Sequence, residues 1–100
     1  MYSYIIKNGM VVDGSGKEPF KADVAINNGK IAAVEPYISP ELGEKVVDAE
    51  GKYVTPGFID IHRHADSACF KPWFGEPELR QGLTTVINGN CGHSIAPCPV

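Results

Sequence analysis

The chain has 100 residues, 43% of them hydrophobic, and a formal net charge of −3 at pH 7. This length suits a small globular domain, and the absence of a basic run leaves no electrostatic footprint for nucleic acid. The amino-terminal stretch MYSYIIKNG is too short and too polar to predict a secretory signal or a membrane span. The odd set of cysteines, Cys69, Cys91 and Cys98, lacks CxxC spacing and predicts reduced thiols in a cytoplasmic protein.

Residues 1–55 are predicted to form short β-strands separated by turns. The pair Asn28-Gly29 is the strongest hairpin signal, because both turn residues must accept positive φ. Ser39 and Pro40 are typical of the start of a helical turn. Together these features predict a small antiparallel β unit. The β-prone runs are Tyr2–Lys7, Met10–Val12, Ala22–Ile26, Ile31–Val34, Val46–Asp48 and Tyr53–Thr55.

Residues 56–100 follow a different pattern. The apolar runs Phe58–His62 and Leu83–Ile87 are predicted strands, and Glu76–Gln81 suits a short helix that Gly82 ends. A strand, a helical crossover and a second strand predict a parallel β-α-β unit. A parallel sheet needs more than two strands to bury its faces, so this half is expected to be incomplete and to self-associate.

Polar side chains cluster where the two strands of this unit end. On a continuous strand Asp60, His62 and His64 share one face, since successive side chains alternate. Cys91 comes just after the second strand, and the carboxyl ends of parallel neighbours meet at one rim. Imidazole and thiolate both suit zinc, so the two histidines and Cys91 are candidate metal ligands.

Other residues near this rim receive more modest interpretations. An HxH pair alone is most often exposed on a surface, but the flanking PGFID argues against exposure here. Asp60 is a candidate acceptor that orients an imidazole, and His93 is a candidate polar contact. Arg63 is predicted to form a structural ion pair, while Cys69 and Cys98 are predicted to be small buried hydrophobes. The residues expected to pack in a core beneath the rim, or alternatively to form a wall of a substrate pocket, are Phe70, Trp73 and Phe74.

Several segments resemble a known family. VTPGFIDIHRH resembles the first barrel strand of the amidohydrolase superfamily, and IIKNGMVVDGSG, ADVAINNGKIAAV and EGKYVTPG are similar to its β-sandwich lead-in. QGLTTVINGNCGHSIAP, with the early VDGSG, resembles the GxTTVVxGNCGxSxAP segment of N-acyl-D-amino-acid deacylases. The resemblance implies an α/β fold with a β-rich amino-terminal part. Residues 1–55 would belong to a small β-sandwich, and residues 56–100 would open a (β/α)8 barrel that is incomplete in this chain.

The resemblance also implies a metal site. His62 and His64 match two histidines of a weaker or second metal position. Cys91 matches a cysteine that binds zinc where many relatives use a carboxylated lysine. Arg63 departs from the small residue that is common between the histidines, and His93 from the phenylalanine that is usual after GNCG.

The implied reaction is hydrolysis of N-acyl-D-amino acids with one or two zinc ions. The catalytic aspartate and the remaining zinc histidines are expected beyond Val100, so the 100 residues alone are expected to be inactive. A cyclic-amide hydrolase of the dihydroorotase or hydantoinase kind is the alternative enzyme, and GNCG argues against it. A non-catalytic, truncated β module is the alternative of another class.

Overall fold

The computed structural model describes residues 1–95, so Cys98 lies outside the described residues. The chain divides into two compact units, Met1–Pro56 and Gly57–Val100. Among residues 1–95 no helix is long and apolar enough to cross a membrane. The result is a strand-rich α/β structure.

The first unit is a five-stranded mixed sheet in the order β3-β2-β1-β4, with β5 also paired to β1. β1 runs antiparallel to β2 but parallel to β4 and β5, so the prediction of a purely antiparallel unit was wrong. Residues 36–42 lead from one edge of the sheet to the other, and Ile38 packs on Ile5 and Ala25 on the way. The chain therefore enters β4 in the direction of β1. The strands are β1 (Tyr2–Val11), β2 (Phe20–Asn27), β3 (Lys30–Glu35), β4 (Gly43–Asp48) and β5 (Tyr53–Val54).

Two Asn-Gly pairs in this unit behave differently. Asn28 and Gly29 have φ values of 50° and 71° and connect β2 to β3, which confirms the predicted hairpin. Asn8, with φ of 63°, lies inside a continuous β1, where the pairing register shifts between Ile6 and Gly9. This Asn-Gly pair is thus a β-bulge and not the strand end that was predicted.

A single helical turn precedes β4, as predicted. It is a 3-10 helix, Pro40–Leu42, with proline in the first turn. Ser39 makes no side-chain capping hydrogen bond, and its carbonyl oxygen instead accepts the Leu42 N–H at 3.1 Å.

Asp23 is a buried charge at the centre of the first unit. Its carboxylate accepts the backbone N–H groups of Asn8 and Ile38, each at 2.8 Å, and forms an ion pair with Lys7. Lys7 also donates to the Ile38 carbonyl oxygen at 2.7 Å, and its Nζ lies 4.0 Å from the ring centroid of Tyr37. This network fixes the bulge in β1 and the crossing segment to the same side chain.

The second unit contains the predicted parallel β-α-β arrangement. β6 pairs in parallel with β7, and Ile59 lies opposite Thr85. The helix α1 begins after Gly75, whose N–H donates to a Glu78 carboxylate oxygen at 3.1 Å, and Gly82 follows its end with φ of 83°. The elements are β6 (Phe58–Asp60), a 3-10 turn (Ala68–Phe70), α1 (Glu76–Arg80), β7 (Leu83–Val86) and a second 3-10 turn (Asn90–Gly92).

Several burial predictions for this unit were wrong. Phe70 and Trp73 are 77% and 57% exposed, so they do not form a core in the described chain. Cys69 is exposed, and its thiol donates to the Asp66 carbonyl oxygen at 3.0 Å. Two short strands, one short α-helix and two 3-10 turns offer too little apolar surface to cover these side chains.

Candidate metal centre

The segment that carries the two histidines is a bend and not a strand. β6 ends at Asp60, so the predicted alternation of side chains does not reach His62 or His64. One Asp60 carboxylate oxygen accepts the N–H of His62 at 3.2 Å and turns the backbone there. The two imidazole rings nevertheless lie together, with centroids 5.3 Å apart and an interplanar angle of 72°.

The histidine segment is joined to the loop after β7 by backbone and side-chain hydrogen bonds. The Ile87 N–H donates to the Asp60 carbonyl oxygen at 2.9 Å, and the Arg63 N–H donates to the Ile87 carbonyl oxygen at 3.1 Å. Beyond the Arg63 N–H, side chains make the hydrogen bonds between the two segments. Asn88 Oδ1 accepts the Ala65 N–H at 3.2 Å, and Asn90 Nδ2 donates to the Arg63 carbonyl oxygen at 3.2 Å.

Cys91 is held in a left-handed backbone conformation, with φ of 57° and ψ of 24°. This region is uncommon for a residue with a side chain, and such strain is often kept at functional sites. Gly89 and Gly92 on either side have φ of 77° and 73°, which glycine adopts without a steric penalty. The tight turn directs the loop back so that the Cys91 sulfur faces His62.

The structure brings His62, His64 and Cys91 into one cluster. One ligand atom from each lies within 4.8 Å of the others, and Cys91 Sγ is 3.3 Å from His62 Nε2. Zn–S and Zn–N bonds of about 2.3 and 2.0–2.1 Å in a tetrahedron place two ligand atoms about 3.4–3.6 Å apart. The donor types and the Cys91–His62 spacing therefore fit a zinc ion, and the third donor atom lies within 4.8 Å of both.

All three side chains are exposed in the described chain. The expectation that the apolar flank would exclude exposure was therefore wrong, since Ile59 and Ile61 are themselves 61% and 75% exposed.

The remaining predicted residues take other places. Asp60 contacts the backbone of His62 and lies 3.6 Å from Arg63 Nη1, and no bond from its carboxylate to an imidazole occurs in residues 1–95. Arg63 also pairs with Glu78 at 2.6 Å, which confirms its structural ion pair. His93 lies outside the three-residue cluster, with its ring centroid 5.9 Å from that of His64 and nearly perpendicular to it.

Asn88, Asn90 and Glu78 were not singled out by the sequence reasoning, although they fix the loops of the site. Asn88 and Asn90 flank Gly89 in the run NGNCG, in which the sequence analysis assigned a role to Cys91 but none to either asparagine. An asparagine beside a turn glycine can bond to nearby backbone, and that signal was available. An open cleft of about 530 Å³ adjoins the cluster and is lined by His64, Asp66, Ser67, His93, Ser94 and Ile95.

Comparison with known proteins decides the family. The profile of the amidohydrolase family matches residues 45–97, more than half of the sequence. The chain belongs to the amidohydrolase family. Two sequence relatives illustrate its range. A D-aminoacylase of Alcaligenes xylosoxydans xylosoxydans is 36% identical over 96 residues, covering 96% of this amidohydrolase and 20% of the relative. An adenine deaminase of Bacillus velezensis is 43% identical over 93 residues, covering 92% of this chain and 15% of the relative.

Solved structures support the same assignment. A D-aminoacylase studied for its binuclear metal centre superposes with a TM-score of 0.89 at 41% identity, covering 97% of this amidohydrolase and 20% of that chain. The N-acyl-D-glutamate deacylase of Bordetella bronchiseptica was solved with zinc and a phosphonate inhibitor. It gives a TM-score of 0.82 at 39% identity, and the match covers 99% of this chain and 21% of that chain. These matches confirm the resemblance to N-acyl-D-amino-acid deacylases. The chain spans about a fifth of the length of these deacylases.

Proposed function

We propose that this amidohydrolase is the amino-terminal portion of a zinc-dependent enzyme that hydrolyses N-acyl-D-amino acids to a carboxylate and a free D-amino acid. The observation that carries the proposal is the cluster of two imidazoles and one thiol at the ends of β6 and β7. The thiol matters most, because Cys91 stands in the GNCG segment that resembles the D-specific deacylases. A hydantoinase-like site would take a lysine from a later strand instead.

Each residue of the cluster has a role in this proposal. His62, His64 and Cys91 would hold one or two zinc ions, since imidazole and thiolate both suit that ion. When bound, zinc would polarise the amide carbonyl and lower the pKa of a coordinated water molecule towards neutrality. Asp60 fixes the bend before His62, and Arg63 anchors the segment between the histidines to α1 through Glu78.

The cleft beside the cluster is proposed to receive part of the substrate. Its lining includes the Asp66 carboxylate and the His93 imidazole, both polar, beside the apolar Ile95. With His93 where the deacylases usually carry phenylalanine, the wall near His64 offers a hydrogen-bonding group to the substrate in place of an apolar ring. This difference concerns substrate preference and leaves the three metal ligands unchanged.

The rest of the catalytic machinery is proposed to come from beyond Val100. A proton-shuttling aspartate and further histidines would complete the site of a (β/α)8 barrel that residues 56–100 open, and residues 1–55 would contribute to a small β-sandwich. General acid–base catalysis by a positioned group typically contributes about 10²–10⁴-fold, so the isolated chain should not turn over substrate. The complete enzyme is proposed to be cytoplasmic.

A substrate comparison tests the proposal. The enzyme extended to the length of its relatives is loaded with zinc and offered N-acetyl-D-methionine, N-acetyl-L-methionine, a hydantoin and adenine. We expect free amine from N-acetyl-D-methionine and not from its L-enantiomer. We expect no ring opening of the hydantoin and no release of ammonia from adenine. Adenine is included because the adenine deaminase relative is 43% identical over 93 residues. Turnover of adenine or the hydantoin alone would refute the deacylase assignment.

A second assay tests the claim about the isolated chain. The 100 residues are incubated with zinc and N-acetyl-D-methionine, and free amine is measured. Turnover that survives repurification and is abolished by a chelator would mean that the chain contains its own general base.

A further inference from the structure

We propose that Asn90 is a positioning residue whose carboxamide holds the two metal-binding loops together. The inference rests on the proposed metal site and adds to it a residue that touches neither metal nor substrate. Asn90 lies next to Cys91 in the chain, and Arg63 lies between the two histidines. A bond from Asn90 to Arg63 therefore joins the loop of one ligand to the centre of the segment that carries the other two.

The contacts show how one side chain makes this connection. Nδ2 of Asn90 donates to the carbonyl oxygen of Arg63 at 3.2 Å and to the carbonyl oxygen of Ile87 at 2.7 Å. A carboxamide nitrogen carries two hydrogens, so both bonds are made at once. The Ile87 bond fixes Asn90 within its own loop, and the Arg63 bond fixes the histidine segment to it.

The position of this bond explains why a side chain is needed. The parallel backbone pairing of β6 and β7 ends with the Arg63 N–H, which donates to the Ile87 carbonyl oxygen at 3.1 Å. The Arg63 carbonyl oxygen then points to a loop that has turned away through Gly89 and Cys91, both in left-handed conformation. Asn90 extends the pairing by one bond, at the point where His62 and His64 must be held relative to Cys91.

The substitution Asn90→Asp isolates this role. It keeps the size of the side chain but replaces the donor with oxygens that only accept, opposite two carbonyl oxygens. Because residues that orient metal ligands typically contribute 10–100-fold to affinity, we expect zinc binding to weaken by about that factor. Coulomb attraction alone predicts the opposite sign, since the new carboxylate adds negative charge near a cation. Weaker binding therefore reports lost geometry.

Gln81→Glu is the matched control. It makes the same amide-to-acid change in a carboxamide just after α1, whose Nε2 donates to one carbonyl oxygen, that of Pro77, at 3.1 Å. Zinc affinity of the 100-residue chain is measured by competition with a chelating dye. The ligand geometry is followed by the visible d–d bands of bound cobalt(II), which a purely structural residue outside the site would leave unchanged. Asn90→Ala, which adds no charge, should reproduce the loss.

Each outcome is decisive. Weaker zinc binding and altered cobalt bands in Asn90→Asp and Asn90→Ala, with Gln81→Glu like wild type, support the proposal. Wild-type affinity in the Asn90 variants overturns it while leaving the metal site intact. A wild-type chain that binds no zinc also overturns the proposal, because His62, His64 and Cys91 would then not form a metal site by themselves for Asn90 to position. Loss of dispersed amide NMR signals from residues 57–95 in both metal-free variants also overturns the proposal, because Asn90 would then hold the fold and not the ligands.

Discussion

The sulfur of Cys91 lies 3.3 Å from Nε2 of His62, although the two residues are 29 positions apart in the chain. Their approach follows from the parallel pairing of β6 with β7, which brings the carboxyl ends of both strands to one edge. Each strand then ends in a tight bend, one at Asp60 and one at Gly89. The site is therefore built from two strand ends and two turns, and its metal affinity should respond to residues in both.

Removing the thiol tests the centre of the cluster. In Cys91→Ala we expect bound zinc to be lost, because a methyl group cannot replace a thiolate ligand and two imidazoles alone bind the ion weakly. The first unit should remain folded, since Cys91 belongs to the other unit. The zinc content of the purified chain is measured by elemental analysis.

Cys69→Ala is the control for this substitution. Cys69 is also exposed, and its thiol contacts the Asp66 carbonyl oxygen, outside the three-residue cluster. The Cys69→Ala variant should keep its zinc. Equal zinc content in Cys91→Ala and wild type would remove Cys91 from the site and leave only His62 and His64 as candidate ligands.

The two loop histidines should differ in their effect on metal binding. His64 belongs to the ligand cluster, whereas His93 lies outside it, with its ring nearly perpendicular to that of His64 and the centroids 5.9 Å apart. We expect His64→Phe to weaken zinc binding by at least tenfold and His93→Phe to leave it within about twofold, since the first removes a ligand and the second does not. Chelator competition measures both, and equal losses would make His93 a ligand.

The composition of the candidate site was predictable, but its backbone was not. Residue types and the parallel β-α-β order were enough to expect that His62, His64 and Cys91 would converge. The reason given for the histidines, a continuous strand, was wrong because Asp60 bends the chain through a local hydrogen bond. Such side-chain-to-backbone bonds compete with strand pairing, and alternation of apolar residues carries no sign of them.

For the sheet of the first unit, the sequence predicted where the strands lie but not how they pair. Asn-Gly marked the hairpin at Asn28 correctly, but the same dipeptide at Asn8 lies within a strand. The difference arises from Asp23, which is distant in sequence and accepts the Asn8 N–H. The parallel pairing of β1 with β4 likewise depends on Ile38 packing across the sheet, a tertiary contact that no local pattern contains.

Exposed apolar residues of the second unit should make the isolated chain self-associate. Phe58, Ile59 and Ile61 are 53%, 61% and 75% exposed, and contiguous exposed apolar surface favours association. Ile59→Lys should shift the chain towards the monomer in sedimentation velocity. Ser15→Lys, which adds the same charge in an exposed loop of the first unit, should not. A compact wild-type monomer at all concentrations would contradict this prediction.

The buried pair Lys7–Asp23 should make the first unit sensitive to acid. Burial raises the pKa of the Asp23 carboxyl, but the Lys7 ammonium and the N–H groups of Asn8 and Ile38 outweigh it, and the net pKa is lowered. A group whose pKa is lower in the folded state stabilises the protein above its unfolded pKa of about 3.9. That stability is lost as the pH falls below this value and through the folded pKa.

Asp23→Asn should therefore remove stability at pH 7 and flatten the acid dependence. Breaking a buried ion pair from one side typically costs about 3–5 kcal/mol, because the remaining charge, here Lys7, is left unpaired. All four tyrosines lie in residues 1–56 and the single tryptophan is Trp73, so tyrosine emission during urea unfolding reports the first unit. Asp13→Asn is the control, since this exposed carboxylate bonds to its near neighbour Ser15, whose N–H donates to it at 2.9 Å, and the substitution should change stability little. If both variants unfolded at the same urea concentration as wild type at pH 7, Asp23 would not be the residue that holds the crossing segment to the sheet.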